Sequence, residues 1–162
     1  MNKNLTPDQQ AHQIDKSILD AAKTFLCWDM FPDLTIQLVE MQETISYFHP
    51  PFNRSTIIIF YKKSPDYSIP FFHLFHEVGH YMQYEKMQQT GRESLFWQNI
   101  NTPTGSSRVA FEKESWQEGK VYLSQFIEKS GLDQSLLSKY DQYAKTSIES
   151  YQDRINKSGL KR

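Results

Sequence analysis

The amino-acid sequence predicts an α+β fold, in which strands and helices occupy different parts of the chain. Residues 34–62 contain three short segments rich in branched and aromatic side chains, which is typical of strands. Apolar residues at helical spacing precede these segments and recur three times after residue 70. The expected order is therefore one helix, three strands and three helices. A length of 162 residues predicts a single domain over 1–162.

The first helix and the three strands have clear local signals. Thr6 followed by Pro7 is typical of a helix start, because a hydroxyl side chain can cap the first turn and proline suits the first helical position. Apolar residues at helical spacing then predict a helix that runs to about Cys27. Three consecutive isoleucines mark the last strand. The strands are expected at 34–40, 44–48 and 55–62.

The next helix is expected to begin at Pro70 and to end near Met87. The stretch 88–105 that follows is polar and contains glycine and proline. We therefore interpret this stretch as a loop, which allows a short helical piece around 94–98.

Two more helices are expected in the last third of the chain. Ser106 or Ser107 can cap a helix that ends near Lys129. Asp133 can cap the last helix, which ends near Asn156. The apolar residues of this last helix favour packing onto the rest of the protein over a coiled-coil dimer. They are Leu136, Leu137, Tyr140, Tyr143, Ala144, Ile148 and Tyr151.

The composition argues against several classes of function. The formal net charge is −1, with 18 basic and 19 acidic residues, so nothing indicates nucleic-acid binding. No apolar run is long enough to cross a membrane, and residues 1–7 lack the apolar core of a signal peptide. The single cysteine, Cys27, fits a reducing compartment. We therefore predict a cytoplasmic protein without nucleic-acid or membrane partners.

A metal-binding pattern lies within the helix expected at 70–87. His76 and His80 are four positions apart, which places both imidazoles on one face of a helix, where they can share a metal ion. Neutral imidazole is a good ligand of zinc. Glu77 lies beside this face and can reach a water at the metal, while Gly79 lets another element approach closely. The alternative is an ordinary pair of histidines without a metal.

A catalytic zinc needs three protein ligands, and the third is expected on a later helix. None of the five histidines follows His80, so the third ligand should be a carboxylate. Glu112 is expected near the centre of the apolar arc of its helix, where a carboxylate is costly unless it is paired or bound to a metal. Glu112 is therefore the favoured ligand, and Glu114, nearer the edge of that arc, is the alternative. Ser115 and Gly119 are small enough to let the two helices approach each other.

These motifs resemble the gluzincin group of zinc metallopeptidases, which pair an HExxH helix with a glutamate on a following helix. Within that group the chain is similar to the small ImmA/IrrE-type metallopeptidases over about residues 57–126. The segment from Glu112 to Trp116 fits the ligand glutamate and the small residue three positions later, but Trp116 stands where that family usually carries Asn or Asp. The resemblance implies a minimal zincin-like domain: an N-terminal helix, a small three-stranded sheet, the HExxH helix, a ligand-bearing helix and a C-terminal helix.

The motif and the resemblance together predict a zinc metallopeptidase that acts on a peptide or protein substrate. Zn²⁺ at His76, His80 and Glu112 would activate a water, and Glu77 would act as the general base. The substrate is expected along the edge of the strand at 57–62, by strand addition. The candidates for stabilising the oxyanion are Tyr81, Tyr84, Tyr122 and His73.

Two other functions are compatible with the sequence. One is a zinc hydrolase that acts on a non-peptide substrate, and the other is a non-catalytic zincin-fold protein that binds or regulates a partner. An open coordination position beside Glu77 would favour catalysis, whereas a closed site with four protein ligands would favour a structural role.

Overall fold

A computed structural model describes residues 13–42, 45–49, 54–102 and 105–159 of the chain. These residues form helices and a small three-stranded sheet, which confirms the α+β prediction. Four helices follow the strands in these ranges, namely the three predicted and the short helical piece that the sequence allows around 94–98. In chain order the elements are α1 (Lys16–Thr24), which continues as a π-helix (Phe25–Met30), β1 (Thr35–Glu40), β2 (Ile45–His49), β3 (Thr56–Tyr61), α2 (Ser68–Gln89), α3 (Glu93–Asn101), α4 (Ser106–Ser130) and α5 (Ser135–Gly159).

The first helix differs from its prediction at both ends. Thr6 and Pro7 lie outside the described residues, and residues 13–15 are not helical. The side chain of Asp15 accepts a hydrogen bond from the backbone N–H of Ile18 at 2.9 Å, so this aspartate caps α1. At the other end, the helix passes Cys27 and continues in the π-helix to Met30. The prediction of one continuous helix over 7–27 is therefore wrong.

The sheet has the strand order β1-β3-β2. β3 pairs with β1 in parallel and with β2 in antiparallel orientation, so it is the central strand. Its side chains Ile57 and Ile59 are fully buried, as suits a strand with neighbours on both sides. The prediction that a substrate adds to the edge of the strand at 57–62 is therefore wrong, because both edges of β3 are already paired. β1 and β2 form the edges of the sheet.

A helix also forms within the predicted loop at 88–105. α3 covers nine residues, and it is anchored by Phe96, which is fully buried. The ring of Phe96 lies 5.8 Å from that of Phe48, 5.3 Å from Tyr84 and 5.5 Å from Phe111. Most of the stability of short helices comes from tertiary packing of this kind rather than from local propensity.

The backbones of α2 and α4 touch at two points. A Cβ atom added to Gly79 would lie 1.9 Å from the carbonyl oxygen of Ser115, and one added to Gly119 would lie 2.1 Å from that of Phe75. The close approach predicted for these two helices is thus confirmed. Because Phe75 and Gly79 directly precede His76 and His80, these contacts bring α4 over the histidine-bearing face of α2.

The last helix packs onto α4, as predicted. Leu136 and Tyr140 are buried, and the hydroxyl of Tyr140 donates to the backbone carbonyl of Trp116 at 3.2 Å. Its face toward α4 therefore combines apolar packing with a satisfied polar group.

Within the described ranges, no helix is both long enough and apolar enough to cross a membrane. α4 and α5 each have 25 residues, which would be sufficient length, but charged side chains recur along both. The predicted cytoplasmic location stays a prediction.

Candidate metal centre

His76 and His80 of α2 meet Glu112 of α4 at the centre of the helix contact. Their exposed fractions are 6%, 3% and 1%, and one potential ligand atom from each lies within 4.8 Å of the others. Nε2 of His76 is 3.3 Å from Oε2 of Glu112, and Nε2 of His80 is 3.6 Å from Oε1. Two ligand atoms of a tetrahedral zinc, each bonded at about 2.1 Å, lie roughly 3.4 Å apart. The three side chains therefore have the spacing of metal ligands.

The carboxylate of Glu112 lacks hydrogen bonds although it is buried. Arg108 forms an ion pair with it, with Nη2 2.5 Å from Oε1, but this contact does not have hydrogen-bond geometry. A buried carboxylate is costly unless its oxygens are paired, and the ion pair with Arg108 is made to Oε1. A cation between Glu112 and the two histidines would satisfy both oxygens, so the donor set fits a metal ion.

The hydrogen bonds around His76 select the tautomer that a metal needs. The hydroxyl of Ser115 donates to the backbone carbonyl of His76 at 2.9 Å, and its oxygen lies 2.8 Å from Nδ1 of the same residue. A hydroxyl has only one hydrogen, so Nδ1–H must be the donor in the second contact. In a neutral ring this leaves a lone pair on Nε2, the nitrogen that faces Glu112.

Gln83 fixes His80 in the same way. Its amide nitrogen donates to the carbonyl of Phe111 and to Oε2 of Glu114, both at 2.9 Å, which orients the amide group. The amide oxygen then accepts from Nδ1–H of His80 at 2.9 Å. In a neutral ring this leaves the lone pair on Nε2 of His80, and such partners of metal-binding histidines typically hold the ring in place.

Aromatic side chains of α4 fix the planes of both imidazoles. Trp116 stacks on His76 with ring centroids 4.1 Å apart and an interplanar angle of 18°. Phe111 stacks on His80 at 5.1 Å and 29°. Trp116, the departure from the ImmA/IrrE-like pattern, thus supports a ring where that family would supply a polar side chain.

The structure separates the two candidates for the third ligand. Glu112 faces both histidines. Glu114 instead accepts a hydrogen bond from Gln83, the residue whose amide oxygen accepts from His80. Glu114 is also exposed to solvent. This arrangement favours Glu112 over Glu114, and the ligand role itself stays a prediction.

Burial and mutual contact shift the pKa values of all three side chains. Burial lowers the pKa of His76 to about 3. Burial by itself would raise the pKa of Glu112, but its contacts with His76 and His80 lower it below the ordinary value. For His80 burial would lower the pKa, whereas Glu112 raises it. A metal ion and a proton compete for Nε2, so a bound cation would keep His80 neutral beside an ionised carboxylate.

Three of the four candidates for the oxyanion stabiliser have contacts with other residues. The hydroxyl of Tyr122 contacts the sulfur of Met82 at 3.3 Å, and the rings of Tyr81 and Tyr84 pack on Phe48. None of these contacts involves His76, His80 or Glu112.

The fourth candidate, His73, belongs to a polar cluster near the site. Nδ1 of His73 lies 3.0 Å from the hydroxyl oxygen of Ser46, and this hydroxyl donates to Oε1 of Glu77 at 2.9 Å. Nε2 of His73 lies 3.0 Å from the hydroxyl of Tyr143. Burial lowers the pKa of His73 to about 4, so its ring is neutral at neutral pH.

Four residues at the site were missed in the sequence, and Gln83 is one of them. Arg108 stands four positions before Glu112, a helical pairing distance that could have identified it. Tyr143 lies on the apolar face of α5, and a tyrosine on a packed face usually needs a partner for its hydroxyl. No sequence signal identifies Ser46, because only the fold brings β2 next to α2.

Comparison of the chain with protein-family models, curated proteins and solved structures finds no match. The resemblance to gluzincins therefore depends on the motif and on the side chains described above. Any assignment of function has to be argued from the geometry of His76, His80 and Glu112.

Replacing Gln83 with leucine is expected to weaken zinc binding. Loss of the hydrogen bond to His80 removes the group that selects its tautomer, and such changes typically cost roughly 10- to 100-fold in metal affinity. The dissociation constant can be measured by titration against a competing chelator. Gln88→Leu, an exposed glutamine on the same helix, serves as the control and should bind zinc like the wild type. Equal affinity in Gln83→Leu and the wild type would contradict the role of Gln83.

Proposed function

We propose that the protein is a zinc-dependent metallopeptidase of zincin-like organisation, in which His76, His80 and Glu112 hold the metal. The observation that carries the proposal is a buried carboxylate without hydrogen bonds, facing two imidazoles whose free nitrogens are selected by Ser115 and Gln83. When bound, zinc would supply Lewis-acid activation of a water and of a substrate carbonyl.

Glu77 is the proposed general base. It follows His76 on α2, is only 5% exposed, and has one carboxylate oxygen fixed by the hydroxyl of Ser46. Burial raises the pKa of Glu77, whereas the nearby His80 and the hydrogen bond from Ser46 act to lower it. A base with a raised pKa accepts a proton more readily near neutral pH. In this proposal Glu77 takes a proton from the attacking water and passes it to the leaving amine.

The proposed substrate is an extended peptide alongside β2. The strand order leaves one side of β2 without a strand partner in the described part of the chain. Ser46 of this strand contacts Glu77, so a peptide paired with β2 would run close to the general base. Main-chain hydrogen bonds to an edge strand are a common way of holding extended peptides.

One observation favours a second candidate, a non-catalytic zincin-fold protein that binds a partner. Arg108 already provides Glu112 with a positive charge at 2.5 Å. If this guanidinium takes the place of a metal, the helices can pack stably without zinc and without catalysis. Metal content therefore separates the two candidates.

The test is cleavage of a pool of unstructured peptides, followed by mass spectrometry. The zinc-loaded protein is expected to cleave peptides, the chelator-treated protein is expected to be inactive, and added zinc should restore cleavage. One zinc per chain without any cleavage would contradict the peptidase proposal and leave hydrolysis of a non-peptide substrate. A protein that takes up no zinc would favour the binding protein.

A further inference from the structure

We propose that Tyr143, His73 and Ser46 form a hydrogen-bonded chain that holds the carboxylate of Glu77 in one orientation. Ser46 and His73 are then positioning residues, a role that rests on the proposed function of Glu77 as the general base. The chain joins three elements, because Tyr143 lies on α5, His73 and Glu77 lie on α2, and Ser46 lies on β2. Its consecutive contacts measure 3.0, 3.0 and 2.9 Å.

The direction of each hydrogen bond follows from the number of hydrogens available. Ser46 donates its only hydrogen to Oε1 of Glu77, so its oxygen must accept from Nδ1–H of His73. A neutral imidazole that donates from Nδ1 can only accept at Nε2. The hydroxyl of Tyr143 is therefore the donor to Nε2 of His73. All donors in the chain point toward Glu77.

The surroundings of His73 restrict its ring. The imidazole lies edge-on to Tyr143, with centroids 5.5 Å apart, and it also packs against Trp116 at 6.2 Å. Trp116 in turn stacks on His76. The same aromatic side chain thus helps to place a proposed metal ligand and the histidine behind the proposed base.

The consequence of the chain is a preorganised base. A hydrogen bond to Oε1 limits rotation of the carboxylate of Glu77, so its second oxygen keeps a fixed direction. Catalytic groups act efficiently only when they are held close to the productive geometry. Ser46 lies on the strand proposed to bind substrate and Tyr143 lies on the last helix, so elements outside its own helix help to orient the base.

The activity test uses substitutions along the chain. Ser46→Ala is expected to lower kcat roughly 10- to 100-fold, as is typical for residues that orient a catalytic site, with KM and zinc content unchanged. Ser46→Thr keeps a hydroxyl and should restore most of the activity. His73→Phe is expected to lower kcat similarly. Because the two residues act in series, the double variant should be no slower than Ser46→Ala alone. Ser55→Ala, at a buried serine just before β3, is the matched control.

A second readout does not depend on activity. The ¹⁵N chemical shifts of the His73 ring should show a protonated Nδ1 and an unprotonated Nε2 in the wild type, and Ser46→Ala should change this tautomer. A protonated Nε2 in the wild type would overturn the chain. Additive losses of kcat in the double variant, or full activity of Ser46→Ala in a protein that does cleave peptides, would overturn the positioning role alone. A zinc-loaded wild type that cleaves no peptide would instead refute the proposed function, whatever tautomer His73 has.

Discussion

Glu77→Gln is expected to lower peptide hydrolysis by a factor of about 10² to 10⁴, the usual contribution of a general base, without changing zinc content. Glutamine has the same size as glutamate and retains an oxygen that can accept the hydrogen bond from Ser46. It cannot accept a proton from water near neutral pH, so only the rate of the chemical step should fall. The measurements are kcat on a peptide identified from the cleaved pool and the metal content of the same sample.

The matched control is Glu85→Gln, a partly buried glutamate eight positions further along α2. The same change of charge on the same helix should leave both cleavage and zinc content at wild-type values. Cleavage by Glu77→Gln at the wild-type rate would remove Glu77 from the mechanism, and equal losses in both variants would indicate a general effect of charge.

The placement of the two histidines on one face could be predicted from the sequence because it depends on local helical periodicity. Spacing of four residues places His76 and His80 on one side of any helix, whatever surrounds it. The burial of Glu112 followed from its place among apolar neighbours on α4, and it is 1% exposed. The contact between the helices followed from the small residues Ser115 and Gly119, since only small side chains permit such an approach.

Features that depend on distant parts of the chain could not be predicted. Strand order is one of them: three isoleucines indicate a strand at 56–61, but the central place of β3 depends on its pairing with two other segments. The full length of α3 is another: the sequence allows a short helical piece around 94–98, but the nine-residue helix depends on the packing of Phe96 against aromatic residues of three other elements. The residue Ile14, just before α1, likewise has a distant partner, since Asp66 accepts a hydrogen bond from its backbone.

The polar groups around the site show the same difference between local and distant sequence signals. Gln83 stands three positions after His80, within one helical turn, whereas Ser46 is 31 positions from Glu77 and Tyr143 is 70 positions from His73. The two histidines and the support of one of them therefore lie in a short motif. The proposed support of the general base comes from segments that only folding brings together.

Glu112→Ala is expected to lose zinc binding, with an affinity lower than the wild type by more than the roughly 100-fold that a supporting residue contributes. The substitution removes the only carboxylate among the described residues that contacts both histidines. A ligand that binds only the folded state stabilises it by about 4 kcal/mol when present at about a thousand times its dissociation constant. Added zinc should therefore raise the melting temperature of the wild type but not that of Glu112→Ala.

Glu114→Ala is the matched control, two positions away on the same helix. Gln83 remains fixed by the carbonyl of Phe111 in this variant, so one zinc per chain and the thermal shift should both persist. Glu112→Gln keeps the shape of the side chain but removes its charge, and it should lose zinc as well. Loss of zinc in Glu114→Ala with retention in Glu112→Ala would assign the third ligand to Glu114. Retention in both would contradict the proposed site, since His76 and His80 would then bind zinc without either glutamate.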